Sequence, residues 1–141
     1  MTFVLDSSLA IAFLLEDEST PETDDVLDSL GEDSQAFTPA LWRWETGNAL
    51  IVAQRRKRIT QADVHRYVTA LDTLPIAVDE NSWHAAWNAT LLLAQKHQLS
   101  IYDAAYLELS VRRGVHLASL DTELRKAAKA EGVKLLPEQI V

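Results

Sequence analysis

With 141 residues, 48% hydrophobic and 24% charged, the chain has the size and composition of one ordinary globular domain that buries its own core. It has no cysteine, which excludes disulfides and thiolate zinc sites and is compatible with a reducing compartment, the cytoplasm being the default. The net charge of −8 argues against nucleic-acid binding through a general basic surface, but the positive charge is clustered at Arg55, Arg56, Lys57 and Arg58, at Arg112 and Arg113, and at Arg125, Lys126 and Lys129.

Thr2 to Leu5 is a short apolar run of strand character, and Asp6-Ser7-Ser8 offers N-cap side chains to a helix running through Leu15. Asp6 interrupts the apolar start and the first basic residue is Arg43, so no signal peptide is expected. No later apolar stretch approaches the roughly 20 residues that a membrane helix needs, and no membrane role is expected. Glu16 to Asp25 is acidic and turn-prone, and Pro21 suits the first turn of a second helix ending near Gly31. Ala36 to Thr38 is the next strand, and Thr38-Pro39 reads as a cap followed by proline at the first helical position, starting a long helix from Ala40 to about Arg56. Thr60 caps another helix to about Asp72. Ile76, Ala77 and Val78 form a third strand. Ser82 to His97 reads as one long helix with Trp83, Trp87 and Leu91 at helical spacing. Ser100 to Arg113 is helical, Val115 to Ala118 a strand, Asp121 to Ala130 a helix and Val133 to Leu135 a fifth strand. Strands alternating with helices long enough for right-handed crossovers indicate an α/β sandwich around a mainly parallel sheet, whose ligand site lies beyond the carboxyl ends of the strands.

Four acids occupy positions of interest. Asp6 follows the first strand, Asp121 follows the fourth, Asp103 opens a helix and Glu45 sits within one. An acid in the first turn of a helix is favoured by the helix dipole without any chemistry, and Ser100-Ile-Tyr-Asp103 has capping-box spacing. Glu45 is harder to assign to the surface, because its helical neighbours Leu41, Trp42, Asn48 and Ala49 are mostly apolar. A buried carboxylate needs a cation, a donor network or a raised pKa, and Asn48 is the expected hydrogen-bond partner. Four converging acids would favour Mg²⁺ or Mn²⁺ through hard oxygen ligands and would suit metal-assisted phosphoryl chemistry. The four histidines, His65, His84, His97 and His116, show no zinc-type pairing, and no glycine-rich phosphate loop is present.

The motifs Val-Leu-Asp6-Ser-Ser8, Thr-Pro-Ala-Leu-Trp-Arg-Trp-Glu45-Thr-Gly-Asn48-Ala-Leu, Tyr102-Asp103-Ala-Ala-Tyr-Leu-Glu-Leu and Leu-Ala-Ser119-Leu-Asp121 follow one another over nearly the whole chain. In this order they resemble a VapC-type PIN domain. The resemblance implies a three-layer α/β/α sandwich around a mainly parallel five-stranded sheet. It also implies a Mg²⁺- or Mn²⁺-dependent endoribonuclease, the toxin of a toxin–antitoxin pair, usually a homodimer silenced by a small VapB-like antitoxin. The family's acids carry over to Asp6, Glu45, Asp103 and Asp121 as metal ligands. Its small hydroxyl residues carry over to Ser8 and Ser119, expected to orient ligands or water, and Asn48 to the positioning of Glu45.

Several features stay open. Gly47 inside a helix costs up to about 1 kcal/mol relative to alanine and invites close helix packing as its reason. The acidic segment Glu16 to Asp25 would either repel RNA or receive a basic stretch of antitoxin. Trp42, Trp44, Trp83 and Trp87 suit core or interface packing more than base stacking, with Trp44, which adjoins Glu45, as the exception to expect. Arg55 to Arg58 ends a helix, where cations suit the dipole, so a solvated helix end is expected before an RNA contact. A strand-aspartate phosphatase or dehalogenase would want a second acid where Ser8 stands, and a phospho-receiver domain would want paired acids there. A non-catalytic PIN-like module acting through a protein partner is the remaining alternative; unlike the enzyme, it would need no metal.

Overall fold

The computed structural model describes residues 1–31 and 33–140. The apolar run Thr2–Leu5 forms β1 at the centre of a five-stranded sheet. Phe3, Val4 and Leu5 have no exposed surface, as expected of a strand covered on both faces. The strand order is β3-β2-β1-β4-β5, with β2 at Gln35–Thr38, β3 at Ile76–Val78, β4 at His116–Ala118 and β5 at Leu135–Leu136. Every neighbouring pair is parallel. The chain moves outward from β1 to β3 and then returns to place β4 on the other side of β1, so the strand order reverses between β1 and β4. In open parallel sheets, ligands bind at that reversal.

Helices α1 (Ser7–Leu14), α2 (Pro21–Ser29), α3 (Leu41–Arg55) and α4 (Gln61–Asp72) pack on one another. Helices α5 (Ser82–Ala85), α6 (Ala89–His97) and α8 (Thr122–Ala130) gather around α7 (Ile101–Arg113). The two groups make the outer layers of the expected α/β/α sandwich, and the described helices include none long and apolar enough to cross a membrane.

Four local expectations need correction. Thr38 does not cap a helix: its carbonyl accepts the Asp79 amide at 2.8 Å, which holds it in β2 beside β3, and α3 begins only at Leu41. The helix expected over Ser82 to His97 is broken ahead of α6, where Asn88 has φ −117° and ψ −102° and its side-chain amide donates to the His84 carbonyl. Trp83 and Trp87 are 83% and 84% exposed, so the expected stripe contributes no burial to hold the two pieces as one helix. Trp44 is exposed, as the exception expected of it, and of the four tryptophans only Trp42 is buried. The last strand starts two residues later than expected, because the Val133 amide bonds the Ala128 carbonyl to close α8. At Gly47 a Cβ would meet nothing within 4 Å, so close helix packing does not explain it.

Candidate active site

Asp6 leaves β1 with its amide donating to the Ala118 carbonyl at the end of β4 at 2.9 Å, which sets it at the strand-order reversal. It occupies the N-cap position of α1, yet its carboxylate caps nothing. Instead Oδ2 accepts the hydroxyls of Ser8 and Ser119, each at 2.7 Å. The Oγ of Ser8 in turn accepts the Leu120 amide, and the Oγ of Ser119 the Asp121 amide, both at 3.0 Å. With an N–H donating to each oxygen, the hydroxyl hydrogens are left to point at Asp6. These bonds join the end of β1 to the end of β4 and fix one rotamer of a carboxylate that is only 4% exposed.

Asp121 is the N-cap residue of α8, where Oδ1 accepts the Leu124 amide at 2.8 Å. Arg125, one turn on, is buried and donates to the carbonyls of Ser119 and Glu138 at 2.9 and 3.2 Å, steadying the Ser119 backbone without touching an acid. Asp103 lies in the first turn of α7, its amide donating to the cap Ser100 at 3.1 Å. The capping box suggested by its spacing is not closed: no bond runs from the Ser100 amide to the Asp103 carboxylate. At the equivalent spacing in α4, by contrast, Asp63 accepts the Thr60 amide at 2.9 Å. Glu45 projects from α3 to accept the hydroxyl of Tyr106 on α7. Asn48 is exposed and forms no bond to Glu45, which corrects the expected partner.

Burial pushes the Asp6 carboxyl above its ordinary value; the bonds from Ser8 and Ser119 oppose the rise and the Asp121 charge adds to it. Burial also raises Glu45, against the Tyr106 bond, with the Asp6 and Asp103 charges adding. Asp103 is raised by burial and by the charges of Asp121 and Asp6, against a side-chain bond to Ser100. Tyr106 is itself pushed up by burial and by Glu45, which keeps it a protonated donor. No Lys, Arg or His forms a salt bridge with any of the four acids among the described residues.

Asp6, Asp103 and Asp121 line one cleft of about 390 Å³ together with Ser8, Arg56 and Arg58. Glu45 does not line it but is close enough for its pKa to feel Asp6 and Asp103. Among the described residues no three acidic or imidazole side chains are already spaced to hold one ion, so the acids share a space rather than converge on one point. Sequence reasoning missed Tyr106, although it sits one turn after Asp103 in a motif already singled out. It also grouped Arg112, Arg113 and Arg125 with surface charge. In the folded chain Arg112 and Arg113 are paired with Asp79, Arg112 also bonds Glu108, and Arg125 is buried.

The sequence profile of the PIN domain family matches residues 3–130. No curated protein matches the chain. Among solved structures, the protein PAE2754 from Pyrobaculum aerophilum is similar, with TM-score 0.70 and 20% identity, over 97% of this chain and 90% of the other. VapBC2 from Rickettsia felis, bound to a DNA fragment from their promoter, aligns with TM-score 0.65 and 8% identity, over 96% and 97%. A toxin–antitoxin complex from Klebsiella pneumoniae aligns with TM-score 0.54 and 16% identity, over 84% and 86%. At these identities the likeness is one of fold.

Proposed function

This chain belongs to the PIN domain family, and on that premise we propose that it is a metal-dependent endoribonuclease, a single PIN domain that hydrolyses RNA phosphodiester bonds. One observation carries the reading: Asp6, Asp103 and Asp121 line a single cleft at the reversal of strand order, and no basic side chain is paired with any of them among the described residues. Acids gathered without a paired cation leave an excess of negative charge that a bound metal ion would relieve.

The donor set fits Mg²⁺ or Mn²⁺, being all carboxylate oxygen with no sulfur or imidazole among the four acids. Asp6, Glu45, Asp103 and Asp121 are the residues that would hold it. When bound, such an ion supplies Lewis-acid polarisation of the phosphodiester and acidifies water for the attack. The remaining work falls to the chain. Ser8 and Ser119 keep one oxygen of Asp6 occupied and its plane fixed. Tyr106 does the same for Glu45, and the α8 cap holds one oxygen of Asp121. Preorganised acids of this kind reorganise little as charge develops at phosphorus.

The likeness to a toxin–antitoxin complex supports the reading that the nuclease is the toxin of a VapBC-type pair. In that reading it is cytoplasmic, forms a homodimer and is silenced by a small VapB-like antitoxin. The deciding experiment incubates the purified, antitoxin-free chain with a defined pool of structured RNAs in Mg²⁺, Mn²⁺ or chelator, beside Asp103→Asn. Cleavage that needs metal and disappears in the variant is expected. Cleavage in chelator, or undiminished cleavage by a folded Asp103→Asn, would overturn the assignment.

A further inference from the structure

Arg56 and Arg58 share the cleft with the three aspartates. The backbone places them there: α3 ends at Arg55, Lys57 adopts φ +61°, and the Arg58 amide turns back to the Ala53 carbonyl at 2.9 Å. This reversal brings two arginines, one on each side of a left-handed residue, to the mouth of an otherwise acidic site. Their electrostatic situations differ. Arg56 makes no ion pair among the described residues. Arg58 gives one nitrogen, Nη2, to both Asp17 Oδ2 and Glu18 Oε2 at 2.9 Å each. The Nε and Nη1 of Arg58 have no partner among the described residues. Elsewhere the basic clusters are partly committed, since Arg112 and Arg113 neutralise Asp79, and Arg125 is buried against carbonyls.

We propose that Arg56 and Arg58 each bind a backbone phosphate of the RNA lying in this cleft, and that Asp17 and Glu18 are an internal competitor for Arg58 which the RNA displaces. The inference rests on the ribonuclease reading and names the part of the cleft that grips substrate. A chain of net charge −8 needs local cations to bring a polyanion to a carboxylate site, and these two are the cations of the cleft among the residues that line it. A guanidinium matches phosphate as it matches carboxylate, through forked donors, so the partner that Asp17 and Glu18 now supply is of the kind a phosphate would replace. Two carboxylates against one guanidinium leave that corner net negative and oppose the approach of RNA. The acidic segment thus sets how much of the binding strength is available.

The test is equilibrium binding of a short single-stranded RNA to the full chain carrying Asp103→Asn, in Mg²⁺, over a range of salt. Added in that background, Arg56→Ala and Arg58→Ala should each weaken binding about tenfold. Each should also reduce the slope of log affinity against log salt by about 0.7, the share of one single-strand phosphate contact. Asp17→Asn with Glu18→Gln should act in the opposite direction, tightening binding severalfold, a gain that misfolding would not produce. Unchanged affinity in both arginine variants, or weaker binding in the Asp17/Glu18 variant, would overturn the inference. Failure of the ribonuclease reading is seen elsewhere, in cleavage that ignores metal or survives Asp103→Asn. Failure of this inference alone leaves that dependence intact.

Discussion

Asp6 and Asp79 are both carboxylates directly following a parallel strand, 4% and 3% exposed, and the chain treats them in opposite ways. Asp79 receives Arg112 through two nitrogens at 3.1 and 2.7 Å, Arg113 at 3.0 Å and the Ser82 hydroxyl at 2.8 Å. Burial would raise its pKa, but the bonds from Arg112, Ser82 and Arg113, with the Arg112 charge, outweigh burial and hold it well below the carboxylate range. Asp6 receives hydroxyls and a backbone amide but no guanidinium, has the Asp121 charge nearby and is pushed upward. Burial alone therefore does not decide how an acid at a strand end titrates. What separates the two is whether the fold supplies compensating charge, since Asp79 has two guanidinium partners and Asp6 has none among the described residues.

Breaking the compensated cluster should have the largest effect. Arg112 also bonds the buried Glu108 at 2.8 and 3.0 Å, so Arg112→Ala would leave two buried carboxylates short of donors. A loss of about 3 kcal/mol is expected, read from urea denaturation. In chelator, Asp103→Asn should have the opposite sign, raising stability by about 1 kcal/mol through relief of repulsion at the cleft. If Asp103→Asn cost as much as Arg112→Ala, the cleft acids would be structural and the contrast would collapse.

The pH dependence sharpens the same contrast. Asp6, Glu45 and Asp103 have raised values in the fold, so as pH falls from 7 the native chain takes up protons before the unfolded chain does, and stability rises. Asp79 is lowered, so its contribution is complete above the unfolded carboxylate value and is lost as pH falls toward the folded one. In chelator the denaturation midpoint should pass through a maximum somewhat above about pH 4. Saturating Mg²⁺ or Mn²⁺ should flatten the arm above that maximum, and Asp103→Asn should reduce its slope. A midpoint that only falls on acidification would show that the cleft acids titrate as free side chains.

Much of the architecture is legible in the sequence because it depends on local signals: Thr2–Leu5 is an apolar run, Thr60 a cap, Pro21 a first-turn proline. The acids drew notice for a related reason, since Asp6 and Asp121 stand where strands end. Illegible was whatever required one element to meet another. Tyr106 reaches Glu45 across 61 residues, from one helix to another, which no window around either position reveals. Thr38-Pro39 carries the local signature of a helix start, but the amide of Asp79, directly after β3, takes the Thr38 carbonyl. The turn of Arg56 and Arg58 into the cleft depends on a lysine adopting a left-handed conformation that sequence would sooner assign to glycine.

The smallest expected effect repeats the contrast within helix caps. Thr60 with Asp63 and Ser100 with Asp103 have the same spacing, and in both the hydroxyl accepts the amide three residues on. Only Asp63 reaches back, accepting the Thr60 amide, and its pKa is lowered by that bond first. Asp63→Ala should therefore lower the urea midpoint by a small but measurable amount, through loss of one cap bond and of a favourable charge near the helix N-terminus. Asp103→Ala loses no bond to the Ser100 amide, because its carboxylate makes none, and relieves the repulsion from Asp6 and Asp121; in chelator its midpoint should rise. Equal drops in the two variants would mean that Asp103 serves its helix after all. Opposite signs would mean that the dipole tolerates an acid at both positions while the fold uses it for stability at one and withholds it for the cleft at the other.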